Sequence, residues 1–165
     1  MMKTITMQYL KDQQACPEQV ELFAEIFGLR AELSRENLLK AALANLNISW
    51  LAPRLLTGPE LGKYNKLVRD ADITFAIDSM PATLVREAIV APAWLAFEAS
   101  RKAAYEAFIA GGSCDAYDET VKLAERAYNE AVAPAHQFFN ETVAPARLIR
   151  DTITANAFAD AWGLP

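Results

Sequence analysis

The chain has 165 residues, of which 53% are hydrophobic and 22% charged, so it can bury a core and is not expected to be disordered as a whole. Its net charge of −5 argues against nucleic-acid binding, which requires a basic surface. The cysteines, Cys16 and Cys114, lie far apart and match no metal-site spacing. Because no signal-peptide core and no bilayer-length apolar run is present, we expect a cytoplasmic location and no membrane partner.

The first part of the chain predicts several short helices. Residues 1–14 fit either a helix or a short strand, and the pattern leaves both open. Pro17, preceded by Cys16 and followed by an acidic residue, is typical of a helix start. Ser34 is expected to cap the next helix, and Asn47 or Ser49 the one after it.

The last helix of this part is predicted to begin at the Thr57-Gly58-Pro59-Glu60 sequence, which resembles a capping box. It should end near Asp78, because Ser79-Met80-Pro81 predicts a break. Its apolar residues recur at spacings of three and four. They are Leu61, Tyr64, Val68, Ala71 and Phe75.

The second part is rich in alanine and internally repeated. Residues 1–80 contain 9 alanines and residues 81–165 contain 22. The octet that begins at Tyr128 is followed, 11 residues later, by a similar octet that begins at Phe139. Eleven residues make three helical turns, so equivalent positions return to nearly the same face. The repeat therefore predicts long helices.

Three Ala-Pro-Ala sequences interrupt this pattern, at Pro92, Pro134 and Pro145. A proline inside a helix removes one hydrogen bond and clashes with the preceding turn, so each one either kinks or ends its helix. Both outcomes stay open. We expect kinked, continuous helices, because no cap or glycine accompanies these prolines.

A turn is predicted at Gly111-Gly112-Ser113, which would fold residues 81–110 against residues 116–133 and beyond as an antiparallel hairpin. The predicted fold is therefore all-α, with a helical head (1–80) and an alanine-rich helical arm (81–165). The residues expected to fill the hairpin are Trp94, Phe97, Tyr105, Phe108, Val121, Ala124 and Tyr128.

No residue pattern predicts catalysis, a metal or a cofactor. His136 is the only histidine and has no partner residue in the sequence, and the glycines match no phosphate-binding loop. An interaction surface is the remaining hypothesis, because arginines beside aromatic residues are typical of binding hot spots. The alternative is that the aromatic residues are core and the arginines are solvated. The candidate residues are Tyr128, His136, Phe138, Phe139, Arg147 and Arg150.

The C-terminal residues Phe158, Trp162 and Leu164 leave two alternatives open. They either dock back on the arm or form a patch for self-association.

Three segments carry a resemblance to known sequences. They are the stretch from Tyr9 to Phe23, the stretch from Ile48 to Leu56, and the array of Tyr/Phe-Asn-Glu-x-Val-Ala-Pro-Ala repeats. In these segments the chain resembles a loosely defined set of small accessory proteins encoded by tailed phages and prophages. The resemblance implies phage origin but brings no activity and no catalytic residues.

Two functions follow as expectations. The first is a non-enzymatic, phage-encoded factor that binds a host protein and inhibits or redirects it, as host-takeover and anti-defence factors do. This rests on analogy with small phage proteins. The second is a structural helical oligomer of a virion or assembly. A small DNA-associated regulator is a weaker alternative, because the acidic residues of the head would face phosphate.

Overall fold

The computed structural model describes residues 4–165, of which 83% are helical. The all-α prediction is confirmed. The described chain contains one two-stranded sheet and six helices. In order, the elements are β1 (Thr4–Thr6), α1 (Met7–Asp12), α2 (Pro17–Phe27), β2 (Arg30–Glu32), α3 (Arg35–Leu43), α4 (Ile48–Leu55), α5 (Gly58–Ile109) and α6 (Cys114–Trp162).

The ambiguous N-terminus contains both predicted alternatives within its described residues. Residues 4–6 form β1, and Met7 begins α1; Met1–Lys3 lie outside the described residues. β1 pairs antiparallel with β2, with Ile5 opposite Ala31. β2 was not predicted from the sequence, because a three-residue strand is too short to show a periodic pattern.

The predicted helix starts are confirmed in the head. Cys16 precedes Pro17 at the first turn of α2, and α2 ends before Gly28, whose φ is 71°. The hydroxyl of Ser34 accepts a hydrogen bond from the backbone N–H of Asn37 at 3.1 Å. Of the two candidates for the next cap, Asn47 is the one used, and its side chain accepts from the N–H of Trp50 at 2.9 Å.

The predicted break at Ser79-Met80-Pro81 is wrong. α5 continues from Gly58 through Pro81 and Pro92 to Ile109. α6 likewise contains Pro134 and Pro145, so continuous helices are confirmed over broken ones. A proline costs the helix one hydrogen bond, and tertiary packing of the rest of the helix offsets that cost.

The turn between α5 and α6 lies where it was predicted. Gly111 has a φ of 107°, and a Cβ on Gly112 would lie 2.9 Å from the carbonyl oxygen of Ala107, so both positions require glycine. The hydroxyl of Ser113 accepts a hydrogen bond from the N–H of Ala116 and caps α6.

The chain divides into two compact units. Unit 1 comprises the residues up to Ile77 together with Pro145–Pro165, and unit 2 is Asp78–Ala144. This division differs from the predicted head of 1–80 and arm of 81–165, because the end of α6 belongs to unit 1.

The core of unit 1 contains the C-terminal aromatic residues. Phe158 is fully buried, with its ring edge-on to Tyr64 at 6.4 Å and stacked on Trp162 at 5.5 Å. Leu164 packs against the same core. Arg35 of α3 donates a hydrogen bond of 2.6 Å to Asp160, which fixes the last turns of α6 on the head. Neither predicted alternative for these residues is observed, since they pack in the head.

Candidate functional site

Unit 2 consists of parts of α5 and α6 that contact each other at intervals of 11 residues. The ring of Phe108 lies 5.9 Å from that of Tyr117, and the ring of Phe97 lies 5.9 Å from that of Tyr128. One repeat further along both helices, the Arg86 guanidinium lies 4.5 Å from the centre of the Phe139 ring. The 11-residue repeat is thus the period of an antiparallel helix contact.

The interior of this hairpin is thin. Its buried apolar residues are alanines and two valines, and no aromatic, leucine, isoleucine or methionine side chain of unit 2 is buried. Two helices give each helix only one neighbour, whereas stable helical proteins normally enclose a core between more layers. Half of each helix surface in unit 2 therefore has no packing partner within the unit. The buried apolar residues are Ala82, Ala104, Val132, Ala135 and Val143.

Two of the predicted site residues in unit 2 pack against α5. Tyr128 is half-buried and contacts Phe97 and also Trp94, whose ring lies 5.8 Å away. Phe139 is half-buried beneath Arg86. The structure thus favours the core interpretation for both aromatic residues.

The other two predicted residues of unit 2 face solvent. His136 is exposed, and Phe138 is 46% exposed. Tyr105, which was expected to fill the hairpin, is 55% exposed, so that prediction is wrong. It lies eight residues after Phe97, which places it toward the edge of the contact.

The two predicted arginines lie in unit 1. Arg150 is half-buried, and its guanidinium lies 4.5 Å from the centre of the Phe75 ring and 2.7 Å from the carboxylate of Asp151. Arg147 is half-buried. The six predicted residues therefore divide between two units, and three of them pack against α5.

A different surface of unit 2 is apolar and exposed. It lies on the side of α5 opposite the contacts with α6, and we call it the outer face of α5. Met80 is 56% exposed, Leu84 is 65% exposed and Leu95 is 68% exposed. The spacings of four, four, three and four place these residues along one side of the helix. The outer face consists of Met80, Leu84, Ala88, Ala91 and Leu95.

The charges beside the outer face are neutralised in pairs. Arg86 contacts Glu87 at 2.7 Å, and Arg101 contacts Glu98 at 2.7 Å. The corresponding outward side of α6 is mostly polar, with exposed residues such as Lys122, Arg126, Asn129, Gln137 and Asn140. The outward side of α5 is therefore apolar, whereas that of α6 is mostly polar. A contiguous apolar patch on an otherwise polar surface is typical of a protein-interaction surface.

The outer face of α5 was not predicted, although the sequence contains a signal for it. Ser79 to Phe97 contains only two charged residues, Arg86 and Glu87, so apolar residues occur on both sides of this helix. A helix that is apolar on two sides can bury both of them, and α6 covers only one side of α5. The polar and aromatic residues typical of binding hot spots lie mainly on α6 instead.

No known protein family, no curated protein and no solved structure matched the chain. Within residues 4–165, no group of three or more histidine, cysteine or acidic side chains is arranged to hold a metal ion. In the same part of the chain, no helix combines the length and the apolar composition needed to cross a membrane.

Proposed function

We propose that the protein is a non-enzymatic structural protein that self-associates through the outer face of α5. The observation that carries this proposal is an exposed apolar helix face on a unit that is only two helices thick. Association with two further helices would give a four-helix arrangement, in which each α5 has an apolar partner on both sides. Of the two functions expected from the sequence, this is the helical oligomer.

The period of the outer face supports a second copy as the occupant. Leu84 and Leu95 are 11 residues apart, as are Met80 and Ala91. On a helix whose apolar residues follow the common seven-residue repeat, the apolar side would drift away from a face that repeats every 11 residues. A second α5 has the same 11-residue repeat, so its apolar side stays in register with the first. A second α5 is therefore the partner whose side chains match along the whole face.

The arrangement of large and small residues also supports an antiparallel pair of α5 helices. With a two-fold axis near Glu87 and Ala88, Leu84 of one copy lies opposite Ala91 of the other. Met80 then lies opposite Leu95. A large side chain faces a small one at the centre, as close helix packing requires, and each surface is complementary to itself.

The direct test is sedimentation equilibrium of the full chain over a wide range of concentration. The wild type is expected to form dimers. Leu84→Glu removes two buried leucines per dimer, each worth about 1–2 kcal/mol at its present exposure, so the dissociation constant should rise about 30- to 1,000-fold. Leu123→Glu is the matched control, because Leu123 is 56% exposed on α6 and should leave the dimer unchanged.

A monomeric wild type, or equal effects of the two glutamate substitutions on the dissociation constant, would refute the proposal.

The antiparallel orientation of the two α5 helices is tested by disulfide formation after both native cysteines, which are exposed, are replaced by serine. Ala88→Cys lies near the two-fold axis and should cross-link two copies on oxidation. Met80→Cys should not, because two such residues would lie about 22 Å apart in an antiparallel pair. Cross-linking at both positions would indicate parallel helices.

The phage-encoded host-binding factor is the second candidate, and one observation favours it. Trp94 and Tyr105 lie on the same side of α5, 11 residues apart, and are 47% and 55% exposed. Tryptophan and tyrosine are the residues most enriched in binding hot spots. A monomeric chain that captures one stoichiometric host protein, and loses it on Trp94→Ala and Tyr105→Ala substitution, would favour this function, which would be exerted in the host cytoplasm.

A further inference from the structure

The head contains a cavity that the proposed association does not use. It has a volume of about 250 Å³ and is lined by residues of β1, α1, α2, β2, α3 and α4 and the loops between them, all within unit 1. Its floor is formed by buried apolar side chains, among them Leu10, Phe23, Leu38 and Leu51. Its rim is polar and exposed, and includes Gln14, Cys16, Glu32 and Asn47.

Small side chains create this space. Ala15, Ala31 and Ala41 line the cavity at positions where a larger apolar residue would extend into it. Ala41 is itself buried, on the side of α3 that faces the cavity. Protein interiors are normally packed with few voids larger than a water molecule, so a cavity of this size is unusual for a domain core.

The polar groups around the cavity are mostly engaged by the protein. The side chain of Gln19 donates to the carbonyl of Asn45 and accepts from the N–H of Asn47. The amide of Asn37 donates to the carbonyl of Glu32 at 2.9 Å. The side-chain oxygen of Asn47 caps α4. A guest in the cavity therefore meets few groups with hydrogen-bonding capacity to spare.

Charge excludes anionic guests. Among the described residues, the lining contains no lysine, arginine or histidine, and its one charged residue is the acidic Glu32. A carboxylate or phosphate would find no cation among these residues and would be repelled by Glu32. Water is also a poor occupant of the floor, because a buried water requires two to four polar partners.

We propose that this cavity is a binding site for a small, uncharged, apolar molecule. A cavity of about 150 Å³ accommodates benzene, so one of this volume accommodates an aromatic or short aliphatic molecule of about ten heavy atoms. Apolar walls with a polar rim are the usual construction of small-molecule sites. The proposal is independent of self-association, since its residues lie in unit 1 and the outer face of α5 lies in unit 2.

The test uses the ¹⁵N-labelled full chain and two neutral probes, indole and n-butylbenzene, with benzoate as the charged control. Both neutral probes should produce saturable shifts at amides within residues 5–51, and benzoate should produce none. Ala41→Leu places a larger side chain in the cavity and should weaken neutral-probe binding at least about tenfold. Ala103→Leu makes the same change at an exposed site on α5 and should leave binding unchanged.

Four outcomes would overturn the proposal. The first is the absence of saturation up to the solubility limit of both probes, and the second is unchanged binding in a folded Ala41→Leu variant. The third is a set of shifts confined to residues 78–144, which would indicate adsorption to the exposed hairpin. The fourth is equal binding of benzoate. If circular dichroism shows that Ala41→Leu does not fold, Ala31→Leu serves as the second blocking variant, because Ala31 lines the same cavity.

Discussion

Ala135 gives a sharp test of the helix contact in unit 2. It is only 2% exposed and lies on the side of α6 that faces α5, midway between buried Val132 and the Phe139–Arg86 contact. Replacing it with leucine adds three carbons where the helix backbones approach closely. Overpacking of this kind costs about 1–3 kcal/mol. Ala135→Leu should therefore separate the two helices locally and destabilise the protein.

The expected decrease in melting temperature follows from the length of the chain. For a protein of this size, 1 kcal/mol changes the melting temperature by about 2–4 °C, so the decrease should be about 2–12 °C. The assay is thermal unfolding followed by far-ultraviolet circular dichroism. Ala133→Leu is the matched control, since Ala133 is exposed on the same helix two residues away and its substitution should change stability by less than about 0.5 kcal/mol.

The comparison between the two variants is decisive. If Ala135→Leu melts within error of Ala133→Leu, Ala135 does not face α5, and the assignment of the 11-residue repeat to the α5–α6 contact fails. If Ala133→Leu is the more destabilised variant, the side of α6 that carries Ala133, and not the side that carries Ala135, faces α5.

Two further predictions concern the prolines and the C-terminus. Pro92 and Pro134 lie within about one residue of the same level of the hairpin, and each is expected to bend its helix. Alanine at either position alone should then leave a straight helix against a bent one, so the double substitution should stabilise the protein by more than the sum of the single ones; additive free energies of unfolding in denaturant would contradict this. The hydrogen bond from Arg35 holds the pKa of Asp160 below its ordinary value of 3.8, and the stabilisation this provides is present at neutral pH and is lost as the pH falls through the lowered pKa. Arg35→Met should therefore melt below the wild type at pH 7, with a difference in melting temperature that narrows as the pH falls below 3.8, whereas a difference independent of pH would exclude this ion pair as its source.

Local features of the fold were predictable because their causes are local. Pro17 at the start of a helix, Ser34 and Asn47 as caps, and the glycines of the α5–α6 turn each satisfy backbone groups within a few residues of themselves. The 11-residue repeat likewise needs only the geometry of one helix to predict long helical segments. These features determined the fold class without reference to any distant contact.

The errors arose where a distant contact overrides a local preference. Proline disfavours a helix interior, and the sequence predicts a break at Pro81, yet α5 continues through it because the buried residues Ser79 and Ala82 pack the helix on both sides of it. Phe158 carried no local sign that it would enter the core of unit 1 beside Tyr64, about 90 residues earlier in the chain. The free-energy cost of a proline inside a helix is about 3 kcal/mol, and the stabilisation from packing along a long helix can exceed that cost.

The same distinction separates the predicted interaction surface from the observed one. Composition left open whether Tyr128 and Phe139 are hot-spot or core residues, and the tertiary contacts half-bury both of them against α5. Composition could not tell which apolar side of α5 faces α6. The residue pattern was enough to predict helices with an 11-residue period and a tight turn between them. It could not predict which side of each helix is buried, because that depends on the register between the two helices in the folded protein, which leaves Leu84 and Leu95 exposed.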